Sequence, residues 1–261
     1  MTKRIKVAGT VVLVMAIASG VALTGQQASS YRAPRTSDGK PDLQGIWQVL
    51  DTADYNIQTH QARPGVPAGL GIVEGEEIPY QPSALAQKQK NFEAGATADP
   101  AAKCFFPGVP RIMYMPYPFR IVQTSDFVEL LFEFGHHTRI IYTNGAPHHE
   151  NIPFWMGDAR GRWDGETFVV ETKNFYDENW FDKAGNFHSE ALELIERFTR
   201  TGPDHIRYEV TVTDPKVFTR PWKMTTTLYR RVEPNARLLE YECFALSVYE
   251  GKRFDKHIKK P

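Results

Sequence analysis

The sequence has little cysteine, no excess of charge of either sign, and no motif of the commonest nucleotide-binding, hydrolase or metalloprotease classes. Two cysteines in 261 residues are too few for a disulfide scaffold or a structural zinc ribbon. The 31 Lys and Arg residues are balanced by 31 Asp and Glu residues, which excludes the basic surplus of a nucleic-acid-binding protein. Glycine loops of the Rossmann and P-loop types, the GxSxG elbow and HExxH are all missing.

The N-terminus predicts export. Lys3, Arg4 and Lys6 precede an uncharged apolar stretch over residues 7–23, the order found in secretory signal peptides, so residues 1–25 are predicted to be one. The alternative is an uncleaved membrane anchor, because the stretch nearly reaches the ~20 residues that a span needs. No second apolar run approaches that length. We therefore expect a periplasmic or secreted protein with no stable membrane insertion after cleavage.

Export changes how the two cysteines are interpreted. Outside the cytoplasm an even pair is oxidised more often than free, so Cys104 and Cys243 are predicted to form a disulfide. Such a bond stabilises the fold by roughly 4–5 kcal/mol in the chain-entropy model. The alternative is two buried free thiols that act as small hydrophobic side chains.

Beyond the signal peptide, the composition predicts a globular domain: 41% of the residues are hydrophobic and 12% are aromatic. Residues 26–42 are polar and carry Pro, Gly and Ser, which is typical of a linker. Residues 43–261 are predicted to be a single domain. It includes an irregular, proline-rich segment over 51–110 in which one helix fits, over 84–92.

From residue 112 onward the pattern favours short strands separated by turns. Apolar or alternating runs lie at 119–123, 128–134, 139–142, 161–163, 167–170, 206–213, 224–230 and 238–244. Asp164-Gly165 is a two-residue hairpin signal. The run 191–200 fits either a helix or a strand, and the turn at 201–204 favours a hairpin. The prediction is a mainly β fold whose antiparallel sheet closes into a barrel or folds as a sandwich to protect its edges.

Two resemblances refine this prediction. Gly45-Ile46-Trp47, preceded by Leu43 and followed by an antiparallel meander, resembles the opening of lipocalin-type (calycin) barrels, in which the Trp plugs the closed end. The segments 41–47, 104–111, 161–170, 186–196 and 214–222 resemble a large group of secreted bacterial proteins of unassigned function. This second likeness covers nearly all of the mature chain. It implies one continuous unit, and it brings no chemistry to particular residues.

His188 is the main candidate for acid–base chemistry. It lies between a predicted turn and a predicted strand, among aromatic residues, where an imidazole can exchange a proton at working pH. Asp182 or Glu196 can orient it, and Arg197 or Arg139 can stabilise an oxyanion. The alternative is that Ser189 caps a short helix and His188 bonds a backbone carbonyl.

Glu196 has two interpretations, because its segment has two. In a strand it lies indoors with Leu194 and Phe198 and needs a partner such as Arg207 or Arg230, while Arg197 faces the other way. In a helix it is simply exposed.

The histidine pairs suggest a metal site. His136, His137, His148 and His149, with Glu150, provide nitrogen and oxygen donors suited to Zn, Cu or Fe, although their spacing matches no recognised motif. The alternative is solvated turn histidines.

The middle of the chain is rich in aromatic residues, among them Tyr142, Phe154 and Trp155, and it predicts a pocket for a small apolar or aromatic molecule inside the barrel. The leading hypothesis is an exported protein that binds such a molecule, with hydration, isomerisation or hydrolysis centred on His188. The alternatives are a non-catalytic, lipocalin-like binding protein, and a metal or haem protein that uses the paired histidines. The sequence does not indicate the oligomeric state.

Overall fold

The fold is mainly β, as predicted. The computed structural model describes residues 31–95 and 97–243, so the predicted signal peptide and the first residues of the predicted linker lie outside the described residues. The strands are β1 Gly45–Gln48, β2 Phe119–Gln123, β3 Phe127–Phe132, β4 Thr138–Tyr142, β5 Asp158–Asp164, β6 Thr167–Lys173, β7 Glu193–Gly202, β8 His205–Thr213 and β9 Trp222–Arg230. The helices are α1 Pro82–Ala94, a 3-10 turn at Pro100–Lys103, and α2 Arg111–Tyr114.

The nine strands close into a barrel in chain order, with β9 pairing back onto β1. All neighbours pair antiparallel except β4 and β5, which meet in parallel at Tyr142 and Arg160 only. We call this junction the β4–β5 seam. A tight hairpin joins antiparallel neighbours, but a parallel pair needs a long connection, and residues 143–157 supply it. The barrel is therefore compatible with the lipocalin-like expectation and is mixed at one place.

The ambiguous run at 191–200 is a strand. In β7, Leu194, Glu196 and Phe198 are buried, whereas Arg197 points outward, as the strand interpretation requires. Two-residue alternation on a barrel wall places every second side chain inside. β7 continues through a tight turn into β8, so the hairpin was predicted correctly.

The strand predicted at 238–244 is wrong over its described part. Residues 238–243 form only an isolated parallel bridge between Tyr241 and Phe134. The reason is closure: both edges of β9 are already occupied, by β8 and by β1, so the barrel offers no edge to a further strand there.

The proline-rich segment 51–110 packs against the barrel and is held by buried charges. Arg111 donates to Asp54 at 3.0 Å and to both carboxylate oxygens of Asp99 at 2.8 and 2.7 Å. Lys183 approaches the other oxygen of Asp54 at 2.6 Å. Burial alone would raise the pKa of Asp54, but the two cations hold it below its usual value. The helix predicted in this segment is α1, which begins at Pro82.

Trp47 is buried where β1 pairs with the last residue of β9, Arg230. Its side chain is fully buried, and its indole N–H donates to the carbonyl of Leu43 at 2.9 Å. The guanidinium carbons of Arg230 and Arg200 lie 4.8 and 5.9 Å from the centre of a Trp47 ring.

The predicted disulfide is present. Cys104 and Cys243 are bonded, with their Cα atoms 5.6 Å apart and 139 residues of sequence separation. The bond ties the chain after β9 to the end of the proline-rich segment. No helix within residues 31–95 and 97–243 is long and apolar enough to cross a membrane.

Candidate functional site

A buried ion pair lies inside the barrel. Arg139 of β4 donates through Nη1 to Oε1 of Glu196 on β7 at 2.9 Å, and through Nη2 to Oε2. Thr172 of β6 accepts from Arg139 at 2.8 Å and donates to Glu196 at 3.0 Å, and Tyr208 of β8 donates to Glu196 at 2.7 Å. Four strands thus meet at one charge-neutral cluster.

The electrostatics of this cluster favour charged, fixed side chains. Burial alone would lower the pKa of Arg139, but the charge and hydrogen bonds of Glu196 raise it above its usual value. Burial, followed by the charge of Glu196, raises the pKa of Tyr208 well above 10, so the phenol stays a donor. One buried donor, Nε of Arg139, has no hydrogen-bond partner among the described residues.

The partner of Glu196 differs from the two arginines that the sequence suggested. Arg207 points outward on β8 and pairs with Glu209 at 3.0 Å. The guanidinium of Arg230 packs over the ring of Trp47. Of the two interpretations of Glu196, the strand interpretation, which buries it, was correct, but its partner Arg139 comes from β4, which is not adjacent to β7.

His188 is buried and lies apart from that cluster. Its Nδ1 is 2.9 Å from the carbonyl oxygen of Ser189, and its Nε2 is 2.5 Å from Oδ1 of Asn179. Burial lowers the pKa of His188, which favours the neutral ring. Both ring nitrogens thus face carbonyl oxygens of the protein, and a neutral ring donates a hydrogen bond to one of the two. The alternative from the sequence was that His188 bonds a backbone carbonyl while Ser189 caps a short helix. The carbonyl contact is present, but no helix begins at Ser189.

Asp182 organises a turn. Its carboxylate accepts from the backbone N–H groups of Ile57 at 2.9 Å, Ala184 at 2.9 Å and Asn186 at 3.1 Å, and from the side-chain amide of Asn186 at 2.5 Å. Burial nevertheless raises its pKa to about 6. These bonds fasten the proline-rich segment to the turn that precedes His188.

The five residues predicted for acid–base chemistry are therefore not brought together. Arg139 and Glu196 form one cluster, and Asp182 and His188 have separate partners. Arg197 lies on the outer surface, 3.1 Å from Asp164. In the part of the chain that the structure describes, no hydrogen bond or ion pair joins His188 to any of the other four.

The histidine pairs are separated as well. His136 and His137 occupy the β3–β4 turn, where His136 lies 3.2 Å from Glu242 and His137 stacks on Phe106 with ring centres 4.1 Å apart. His148 lies 3.3 Å from Asp158, whereas His149 and Glu150 are exposed. Within residues 31–95 and 97–243, no three His, Cys, Asp or Glu side chains are grouped as metal ligands would be.

An open groove of about 360 Å³ lies along the β4–β5 seam. We call it the seam groove. Its apolar lining is aromatic and aliphatic: Phe106, Ile140, Tyr142, Phe154, Trp155 and Met156. Its size is within the range of pockets that hold small molecules.

Two side chains that line the seam groove, Phe106 and Trp155, belong to a longer row of rings. The ring centres of Phe106 and Trp155 are 6.1 Å apart, and those of Phe105 and Trp155 are 5.4 Å apart. His137 extends the row at one end, beyond Phe106, and Tyr176 lies 5.2 Å from Trp155 at the other. Burial lowers the pKa of His137 to about 4, so this ring is neutral at pH 7 and stacks as an uncharged aromatic.

The opposite side of the groove is held by Asp158 at the start of β5. Its carboxylate accepts from the backbone N–H of His149 at 2.7 Å and from Arg160 at 2.5 Å. Arg160 in turn donates to the carbonyls of Ala146 and Pro147 at 2.9 and 3.0 Å. The connection between β4 and β5 is thereby fixed beside the groove.

Sequence reasoning identified Tyr142, Phe154 and Trp155 as part of an aromatic-rich region, but it did not place them in a groove or add Phe106. The only signal for Phe106 was its position two residues after Cys104. No family model matches the chain, and no curated protein matches it.

Proposed function

We propose that this protein is exported and binds a small apolar or aromatic molecule, and that the seam groove is the binding site. The observation that carries this proposal is the pair of neighbouring rings, Phe106 and Trp155, that lines an open groove of about 360 Å³. Ring faces of this kind suit flat apolar ligands. The site differs from the barrel interior that the sequence suggested.

The packing of the barrel interior also favours the seam groove as the binding site. Trp47, Phe198 and Tyr208 are fully buried there, and Arg139 with Glu196 spans the barrel from β4 to β7. A ligand placed among these groups would have to separate a buried ion pair, which is costly. In the seam groove a ligand covers Phe106, which is 37% exposed, without breaking a hydrogen bond.

Binding without turnover is the form of the function that the geometry supports best. Both ring nitrogens of His188 face carbonyl oxygens of the protein, and its predicted helpers lie elsewhere. Catalysis centred on His188 and a metal or haem bound by the paired histidines stay predictions from the sequence.

A periplasmic or secreted location is also part of this proposal. It is supported by the Cys104–Cys243 disulfide, which persists in oxidising compartments, and by the predicted signal peptide.

The test uses 2-naphthol as the probe and calorimetric titration as the measurement. Phe106→Ala removes one ring of the wall, and we expect it to weaken binding of 2-naphthol by about tenfold. The matched control is Phe92→Ala, because Phe92 on α1 is 36% exposed and does not line the groove. Equal loss in both variants, or no loss in Phe106→Ala, would show that the probe does not bind at this groove.

A further inference from the structure

In the part of the chain that the structure describes, one edge of β4 is only partly paired. Phe132 donates its N–H to the carbonyl of His137 at 2.9 Å, and Thr143 donates to the carbonyl of Asp126 at 2.8 Å, so the odd-numbered residues 137–143 face β3. Successive residues of a strand direct their N–H and C=O groups to opposite sides. Thr138, Ile140 and Tyr142 therefore direct theirs toward β5.

Only the last of these three residues meets a strand partner. β5 pairs with β4 at Tyr142 alone, and the strands separate toward Thr138, where the seam groove lies. Among the described residues, the pairing of β4 with β5 does not extend to Thr138 or Ile140. The groove thus offers two consecutive donor–acceptor pairs of the kind that strand addition uses.

The rings and this open edge line one cavity. Phe106 and Trp155 supply apolar faces, while Thr138 and Ile140 supply backbone donors and acceptors. A purely hydrocarbon ligand would displace water from the backbone groups without replacing its hydrogen bonds, which costs binding free energy. A ligand that carries a matching donor and acceptor avoids this cost.

We propose that the ligand of the seam groove is an aromatic amide of the peptide type: a ring that packs on Phe106 and Trp155, carried by a carbon that lies between two secondary amides. The carbonyl of one amide accepts from the N–H of Ile140, and the N–H of the other amide donates to the carbonyl of Ile140, as the two groups of one residue do in an antiparallel strand pair. Thr138 provides the next such pair, at the ~6.6 Å spacing of alternate strand residues. Short peptides with an aromatic residue belong to this class. This inference rests on the proposed function, because it names the ligand of the same groove.

The first experiment compares two probes that differ in one group: N-acetyl-3-(2-naphthyl)alanine N-methylamide, and its ester analogue, in which oxygen replaces the N–H of the acetylated amide. Both carry the ring and the carbonyl, but the ester lacks the N–H donor. We expect the amide to bind about five- to tenfold more tightly in calorimetric titration, the effect of one hydrogen bond. Equal affinity for the two probes would overturn the proposed amide class.

The second experiment changes the protein. Ile140→Pro removes the N–H that faces the seam and leaves the β3 ladder intact, since residues 139 and 141 make that ladder. Both carbonyl probes should then bind about five- to tenfold more weakly, whereas 2-naphthol should bind as before. Ile140→Val is the matched control, because it shortens the side chain and keeps the N–H, and it should change none of the three affinities by more than about twofold.

A third measurement needs no variant. Hydrogen exchange at the Ile140 amide should slow when the amide probe is bound, and it should stay unchanged with 2-naphthol. Unchanged exchange with the amide probe would refute the pairing even if Ile140→Pro fails to fold. If 2-naphthol binds at Phe106 but the amide and ester probes are indistinguishable, the proposed function stands and the amide class is wrong. If 2-naphthol is insensitive to Phe106→Ala, the proposed function itself fails.

Discussion

The carboxylate of Glu196 is fully buried and faces the guanidinium of Arg139 across the barrel. Removing one charge of a buried pair leaves the other without compensation, which is more costly than never having buried either. Glu196→Gln keeps the shape and removes the charge. We expect it to lower the free energy of unfolding by ~3–5 kcal/mol, measured by urea denaturation.

The neighbouring residue is the control. Arg197 makes an exposed ion pair with Asp164, so Arg197→Ala should cost less than about 1 kcal/mol. The double variant Arg139→Met with Glu196→Met should recover part of the loss, because it buries no charge. If Glu196→Gln and Arg197→Ala cost the same, the inner pair does not stabilise the fold as described.

At the scale of single residues, the sequence predicted which side chains are buried better than it predicted which side chains contact each other. The strand interpretation of residues 191–200 placed Glu196 inside and Arg197 outside, while the helix interpretation left Glu196 exposed. The identity of Arg139 as the partner depends on which walls of the closed barrel face each other, and its 57 residues of separation carry no local signal. The same limit explains why His188 and Asp182 were grouped with Glu196.

At the scale of elements, Gly157 fixes how β5 begins beside the groove. Its φ is +68°, and a Cβ placed there would lie 2.4 Å from Cγ2 of Thr172 and 2.6 Å from Cε1 of Phe175. We expect Gly157→Ala to lower the free energy of unfolding and to disturb the groove. Gly165 is the control, because its φ of +60° imposes the same backbone strain and its Cβ would meet nothing within 4 Å.

The difference between the two glycine variants isolates crowding from backbone strain. Gly157→Ala should be less stable than Gly165→Ala by ~1–3 kcal/mol in urea denaturation, the usual cost of overpacking. Only Gly157→Ala should also weaken binding of 2-naphthol. Equal stabilities would mean that Thr172 and Phe175 move aside without cost.

Elements with a clear period were predictable, and the seam was not. β8 alternates strictly and α1 begins at Pro82 with good helix formers, so both were expected. The parallel contact between Tyr142 and Arg160 depends on the course of residues 143–157, which have no period. The unpaired edge at Thr138 and Ile140 follows from that contact. It could not be predicted from the sequence for the same reason.

At the scale of the whole molecule, the disulfide joins two distant segments of the chain. The bond between Cys104 and Cys243 spans 139 residues, so its loss frees a large loop in the unfolded state. We expect Cys104→Ser with Cys243→Ser to lower the free energy of unfolding by about 4–5 kcal/mol under oxidising conditions. Urea denaturation measures the change.

Dithiothreitol provides the control for this prediction. It should destabilise the natural chain to the level of the double variant and leave the double variant unaffected. If the reductant lowered the stability of both proteins alike, the loss would not come from this bond.

A barrel was predictable because neighbouring runs pair in chain order, which is the simplest way to protect sheet edges. The position of the groove was not predictable, because the groove is lined by residues from three separate parts of the chain: residue 106, residues 138–142 and the connection that follows them.

The ring of strands is closed at every junction by a ladder except at the seam, where one bridge joins Tyr142 and Arg160. Breaking that single bridge disrupts fewer backbone hydrogen bonds than separating β7 from β8. Local opening of the barrel should therefore begin at the seam. The rate of this local opening would then set the association and dissociation rates of a ligand, independently of its equilibrium affinity.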